Sequence, residues 1–229
     1  MRNPILQQLS ISLIAAAMAL FALAGPASAA SDPEQLVKKA ETAFQDFQND
    51  PQMDWMRDHL RDAKAVIIAP EMRKAAFVVG GSGGRAVLFA RDQATGNWSG
   101  PAFYTIANAS LGLQAGIEKS EVVMLVMTDN GLTSLLKTQM KLGGDVSIAV
   151  GPVGSGAERS ITTDVVTFSR SKGIYGGINL DGTIMKVNDE RNHKYYAQAV
   201  TPTDILVRHT VSSVRAEKLQ ERIARAATK

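Results

Sequence analysis

Gly80-Gly81-Ser82-Gly83-Gly84, followed at once by Arg85-Ala86-Val87-Leu88-Phe89-Ala90, is the stretch on which the fold turns. Gly81-Ser82-Gly83 with Ala86 loosely fits the Gly-x-Gly-x-x-Gly/Ala pattern of dinucleotide-binding folds, which would make the chain a parallel α/β protein. A phosphate site of that kind needs a helix to start straight after the glycines. A helix N-terminus supplies the free N–H groups that face the anion. Residues 85–90 read as a strand instead, and no Gly-Lys-Ser/Thr is present. The glycines at 80, 81, 83 and 84 are therefore expected to serve backbone geometry as a tight strand-to-strand connection, some of them at positive φ.

Outward from this hairpin the chain is mostly strand-like between residues 66 and 190. Val66-Ile67-Ile68-Ala69-Pro70 and residues 75–79 precede the glycines. Trp98 opens the next segment, and residues 103–117 mix small and apolar residues with Gly112 and Gly116 inserted, which suggests bulges or sharp curvature. Residues 122–127 form a strongly apolar strand. Asp129-Asn130-Gly131 introduces a helix expected to run through Lys141 and to end at Gly143-Gly144. Strands are expected at 146–150, 165–169, 174–180 and 183–187, the last two joined by an Asp181-Gly182 hairpin turn. Before the sheet, Leu36, Val37, Ala40, Ala43, Phe44 and Phe47 recur at helical spacing, and Met53, Met56, Leu60 and Ala63 share a face of a second short helix. Thr201-Pro202-Thr203-Asp204 caps a final helix expected to reach about Ala226. The reading is α+β: one domain with a curved, barrel-like antiparallel sheet, an N-terminal helix pair, an inserted helix and a C-terminal helix.

The first residues carry an export signal. Arg2 is followed by an apolar run over residues 11–24, then Gly25-Pro26 and the small residues Ala27-Ser28-Ala29. A run of about 14 residues is short of the roughly 20 that cross a bilayer. Cleavage is expected after Ala29, giving residues 1–29 as signal peptide and 30–229 as the mature domain, periplasmic or secreted and peripherally membrane-associated. The chain has no cysteine, which excludes disulfides, thiolate metal sites, a cysteine nucleophile and a lipid anchor on a cysteine. Without Arg2 the charge is 24 Lys and Arg against 22 Asp and Glu, too balanced to imply nucleic acid.

No catalytic constellation emerges. His59, His193 and His209 do not pair at metal-ligand spacings, and no Gly-x-Ser-x-Gly elbow is present. No metal and no cofactor is expected, and the chain reads as non-enzymatic. Two groups of residues point to binding. The Phe44 and Phe47 stripe lies on a helix that also carries Lys38 and Lys39. It would either rest on a lipid surface, with the lysines against anionic headgroups, or pack into the core. Arg73, Lys74, Arg85 and Arg91 flank the first two strands and are expected to gather at one end of the hairpin beside its glycines.

Five ordered blocks over residues 64–200 resemble the SYLF domain family, also described as the yeast actin-patch protein domain. They are Gly80-Gly81-Ser82-Gly83-Gly84-Arg85-Ala86-Val87-Leu88, Gly96-Asn97-Trp98-Ser99-Gly100-Pro101-Ala102-Phe103, Ser110-Leu111-Gly112-Leu113-Gln114-Ala115-Gly116, the run from Leu142 through Gly143-Gly144-Asp145-Val146-Ser147 to Gly151-Pro152, and Ser169-Arg170-Ser171-Lys172-Gly173-Ile174-Tyr175-Gly176-Gly177. Ile174-Tyr175 stands where the family has Leu-Phe. The resemblance implies lipid and membrane binding, with phosphoinositides as the ligands of eukaryotic members, some of which also bind actin. It implies that the N-terminal helix contributes to membrane contact. The partner expected for this chain is an anionic lipid or membrane surface and not nucleic acid. The alternative is a protein-interaction or structural domain of the envelope.

Overall fold

Strand β1 (Ala65–Ala76) lies at the middle of the sheet, hydrogen-bonded on both sides: to β2 (Val79–Arg91) along one edge and to β4 (Gly116–Val126) along the other, both antiparallel. The computed structural model describes residues 33–76, 79–111, 116–154, 162–171, 174–176 and 180–228. The expected export signal and its expected cleavage after Ala29 lie outside the described residues. Pro70 sits inside β1, where a residue without an N–H would break a regular ladder. A bulge at residues 68–72 takes it up, and the register shifts there against both neighbours.

The remaining strands extend the sheet both ways. β3 (Trp98–Leu111) pairs with β2, β7 (Val165–Ser171) pairs with β4, and β9 (Ile184–Val187) lies between β3 and β5 (Gln139–Lys141). β6 (Ile148–Val150) joins β7 in a parallel pair, and β8 (Ile174–Gly176) pairs further along β7. The order is β5-β9-β3-β2-β1-β4-β7-β6. Laid flat at about 4.8 Å per strand, β5 and β6 would be about 34 Å apart. Residues 142–147 alone connect them, and even fully extended they reach only about 25 Å. They are not extended, because Gly143 N–H donates to the Val146 carbonyl at 2.9 Å. The sheet therefore rolls into a half-barrel.

Both faces of the rolled sheet are buried, which is why its strands read as near-continuous apolar runs. Val66, Ile68, Val87, Phe89, Phe103, Val123, Leu125, Val166 and Phe168 face one core, packed against α1 (Pro33–Asn49), α2 (Asp54–His59) and α6 (Glu217–Ala226). Ile67, Leu88, Tyr104, Ile106, Val122 and Met124 face the other, with Leu135 of α3 (Asp129–Leu135), Met140, Leu142 and Met185. The expected fold class holds.

Several boundaries differ from the sequence reading. The helix after Thr128, whose hydroxyl accepts from Gly131 N–H, ends at Leu135, not Lys141. Residues 139–141 alternate exposed, buried, exposed around Met140 and form an edge strand. The turn at Asp181-Gly182 is real, with Gly182 at φ +77°, but it does not make a hairpin. β8 ends on β7 and β9 on β3, so the turn passes the chain between opposite regions of the sheet. The C-terminal helix is three pieces: α4 (Asp189–Tyr196), α5 (Pro202–Leu206) and α6. Left-handed residues Ala197 (φ 56°) and His209 (φ 52°) separate them. Most of α4 is polar and it buries only Asn192 and Tyr195, so it has little apolar period to read.

Candidate functional site

The block from Gly96 to Phe103 is spent on packing. Trp98 is buried, Ser99 Oγ donates to the Leu206 carbonyl at 3.1 Å, and Tyr196 OH donates to the Pro101 carbonyl at 3.0 Å. Gln220 Nε2 donates to the Trp98 carbonyl at 2.6 Å, and Asn192 Oδ1 accepts from Phe103 N–H at 2.9 Å. The start of β3 is thus the anchor to which α4, α5 and α6 attach. Ser147 has a similar task. Its N–H and its hydroxyl both donate to Asp164 at 2.8 Å, and Thr128 donates to the same carboxylate. Partial burial raises the Asp164 pKa, but the hydrogen bonds from Thr128, Ser147 and Asn130 outweigh it and hold the group at about 2. That carboxylate ties the start of α3, β6 and β7 together.

Nor do the glycines of β2 behave as a turn. Gly81, Gly83 and Gly84 lie inside the strand, and none of them has positive φ. The expected tight connection with positive φ is corrected on this point, because β2 already runs from Val79 through these glycines. The requirement at Gly84 is closeness. A Cβ there would sit 2.5 Å from Met72 Sδ and 2.7 Å from the Glu71 carbonyl.

Phe44 and Phe47 are both fully buried beneath α1, against the sheet. Neither presents a ring to a membrane in this fold, so the lipid-facing stripe gives way to the core alternative. The apolar period of α1 is satisfied by the sheet. Charged residues on its flanks hold it in place. Glu34 pairs with Arg215 at 2.6 Å, and Glu41 pairs with Lys218 at 3.0 Å and Arg222 at 3.3 Å. Asp46 pairs with Arg170, whose Nε also donates to Glu121 at 2.6 Å.

Lys38 and Lys39 are exposed on the outer side of α1. Lys39 reaches Glu71 at 3.5 Å, and Arg73 pairs with the same carboxylate. The hydrogen bond from Arg73 holds Glu71 below its usual range against the cost of its partial burial, with Lys39 adding to the effect. Arg73 and Lys74 are successive strand residues and so point to opposite faces. Arg73 shares the α1 face, and its register neighbour across β4 is the exposed Lys119. Lys74 faces the other way, opposite Ser82 and Glu118. Arg85, half-buried, stands opposite Glu71 on the Arg73 face. Arg91 does not join them. It lies six residues further along β2, about 20 Å at strand rise, and its guanidinium donates to the Arg61 carbonyl.

The expected cluster therefore splits. Lys39, Arg73 and Arg85 come together around Glu71, Lys38 lies beside them, and Lys74 and Arg91 are elsewhere. Lys119 joins the group although nothing in its local sequence signals it; only the β1–β4 register brings it to Arg73. The histidines form no site. His59 stacks on Trp55 at 3.8 Å, His209 Nε2 lies 3.3 Å from Asp92, and His193 is exposed. Among the described residues no group of three His, Cys, Asp or Glu could hold a metal ion. No helix among them is long and apolar enough to cross a membrane.

Comparison with known proteins adds to this geometry. The Ysc84 family model, described as Las17-binding protein actin regulator, matches residues 107–226. The human SH3 domain-containing YSC84-like protein 1 is 33% identical over 153 residues, which is 65% of this chain and 44% of that protein. LAS seventeen-binding protein 3 of Saccharomyces cerevisiae (strain ATCC 204508 / S288c) is 32% identical over 156 residues, 65% of this chain and 34% of that protein. Protein YSC84 of the same yeast is 30% identical over 154 residues, 64% of this chain and 32% of that protein. The chain thus spans less than half the length of these relatives. The matched segment runs from the middle of β3 through α6, taking in β4, the β5–β6 connection and the helices that close one face of the sheet, and the chain belongs to the Ysc84, or SYLF, family.

Proposed function

We propose that this chain is a non-enzymatic binding module that docks on anionic lipid headgroups through Lys38, Lys39, Arg73 and Lys119. One observation supports this most. These cations stand exposed on α1 and on the strands beside it, while the apolar side of α1 is fully committed to the core. Contact with a membrane is then electrostatic adsorption rather than insertion. Each cation near an anionic surface contributes roughly 1 kcal/mol. Salt screens that contribution, with a Debye length of about 3 Å at 1 M. Co-sedimentation with vesicles of mixed neutral and anionic phospholipid is the test. Binding is expected at low salt, absent from purely neutral vesicles, and lost at 1 M salt. Lys38→Glu with Lys119→Glu should weaken it strongly while leaving the melting temperature nearly unchanged. Failure to bind vesicles of any composition would end this reading.

A protein partner is the second reading. It is favoured by the family's description, Las17-binding protein actin regulator, and by the name of the yeast LAS seventeen-binding protein 3. It predicts no response to lipid.

We further propose that the module works after export, periplasmic or secreted, on the strength of the apolar run at residues 11–24 and the Ala27-Ser28-Ala29 site. N-terminal sequencing of the exported protein should start at Ala30 or the next residue. A mature chain retaining residues 1–29 would refute it.

A further inference from the structure

The bulge at Pro70 brings an acid in among the cations beside α1. Ile68 faces the core beneath α1, and Ala69 faces the other core. Strict alternation from there would turn Glu71 to the Ala69 side and Met72 toward α1. The bulge adds a residue and reverses the phase, so Met72 lies in the same core as Ala69. Glu71 and Arg73 are thereby aimed to the α1 side. Lys39 of α1 reaches the Glu71 carboxylate there at 3.5 Å.

The result is a carboxylate set behind two cations. The side chains of Lys39 and Arg73 are 59% and 65% exposed, and that of Glu71 is 29% exposed, so an approaching surface meets the cations first. Lys39 donates to one oxygen of the carboxylate and Arg73 to the other. Arg85 stands opposite Glu71 on β2. Lys38 and Lys119 are exposed as well, and among the described residues neither makes an ion pair. Glu121, the next acid on this face of the sheet, is held by Arg170. An acid of the chain itself therefore engages Lys39 and Arg73 and leaves Lys38 and Lys119 alone. Exposed ion pairs of this kind are weak and open readily.

We propose that Glu71 is a built-in competitor for the anionic headgroup. Bonded to Lys39 and Arg73, it keeps both from the lipid until a headgroup displaces it. The inference rests on the lipid-docking reading above and adds its regulation. Lys38 and Lys119 make the first contact. Lys39 and Arg73 are added where the anionic charge is dense enough to outcompete one carboxylate. The surface thus discriminates densely charged membranes from sparsely charged ones, and it releases from the latter.

Co-sedimentation of the full mature chain with vesicles of phosphatidylcholine and phosphatidylglycerol, mixed over a range of ratios, tests the proposal. Glu71→Gln should bind about fivefold more tightly than wild type, the worth of roughly one charge beside an anionic surface. It should reach half-binding at a lower phosphatidylglycerol fraction. Its binding should also fall more steeply as salt rises, because more cations take part in a contact that salt screens. Glu118→Gln is the control. Glu118 is exposed next to Lys119 on β4 and points to the opposite face, so the variant removes the same charge without freeing Lys39 or Arg73. It should bind like wild type, and both variants should melt close to wild type. No gain in Glu71→Gln, a gain with unchanged salt dependence, or an equal gain in Glu118→Gln would each overturn the proposal and leave the lipid-docking reading standing. If neither wild type nor Glu71→Gln bound vesicles of any composition, the lipid-docking reading would fall and this one with it.

Discussion

Phe44→Ala is expected to destabilise the protein by about 3–5 kcal/mol, the cost of emptying a fully buried aromatic site. In a domain of this size each kcal/mol lowers the melting temperature by about 2–4 °C, so the loss should be read plainly in a thermal melt. The ring has no exposed surface, and it packs in the core shared by α1, α2, α6 and one face of the sheet. Ion pairs from Glu34 to Arg215 just before α6, from Glu41 to α6 and from Asp46 to β7 keep α1 seated over that core. Measured at a temperature where the variant is folded, vesicle binding should match wild type. A variant that kept its melting temperature and lost lipid binding would mean that α1 leaves the sheet to meet a membrane, contrary to this packing.

Gly84→Val should destabilise by about 1–3 kcal/mol, the usual cost of forcing atoms into a filled site. The first added carbon would lie 2.7 Å from the Glu71 carbonyl, which is backbone and cannot swing away as a side chain can. Gly81→Ala provides the contrast. A Cβ there meets only the Asn108 carbonyl, at 3.4 Å, an ordinary contact. The two substitutions, three residues apart on one strand, should separate clearly in urea midpoint. Equal midpoints would show that the β1 bulge moves freely enough to absorb the extra volume.

Much of the architecture could be read in advance, for reasons visible in particular residues. Residues 122–126 are apolar without alternation because the sheet is covered on both sides, and that marks a buried strand as surely as alternation marks a half-exposed one. The α1 period from Leu36 to Phe47 defined a helix and its inward face. It did not say whether protein or lipid covers that face, since both are apolar. The answer needed the sheet beneath it. The short edge strand at 139–141 was hidden because one buried residue, Met140, is too little period to compete with a capped helix start at Thr128. The candidate surfaces were least legible. A strand presents alternate residues to opposite sides, so Arg73 and Lys74 are adjacent in sequence and separated in space. Lys119 comes to Arg73 from another strand, and only the β1–β4 register reveals it.

The connection over residues 142–147 has a consequence for the fate of the protein at high concentration. A sheet is vulnerable at its borders, where unpaired backbone groups invite another chain to continue the ladder into an aggregate. Here the long strands β1 and β2 are paired along both sides, β9 covers the outer side of β3 only over Tyr104–Ala107, and the end strands β5 and β6 and the side strand β8 are three residues each. Templates that short offer an incoming chain few hydrogen bonds. Rolling the sheet also draws β5 and β6 toward one another, which leaves an intruding strand less room at either border. With no cysteine to lock the chain covalently, this concealment of its borders protects the protein from self-templated growth.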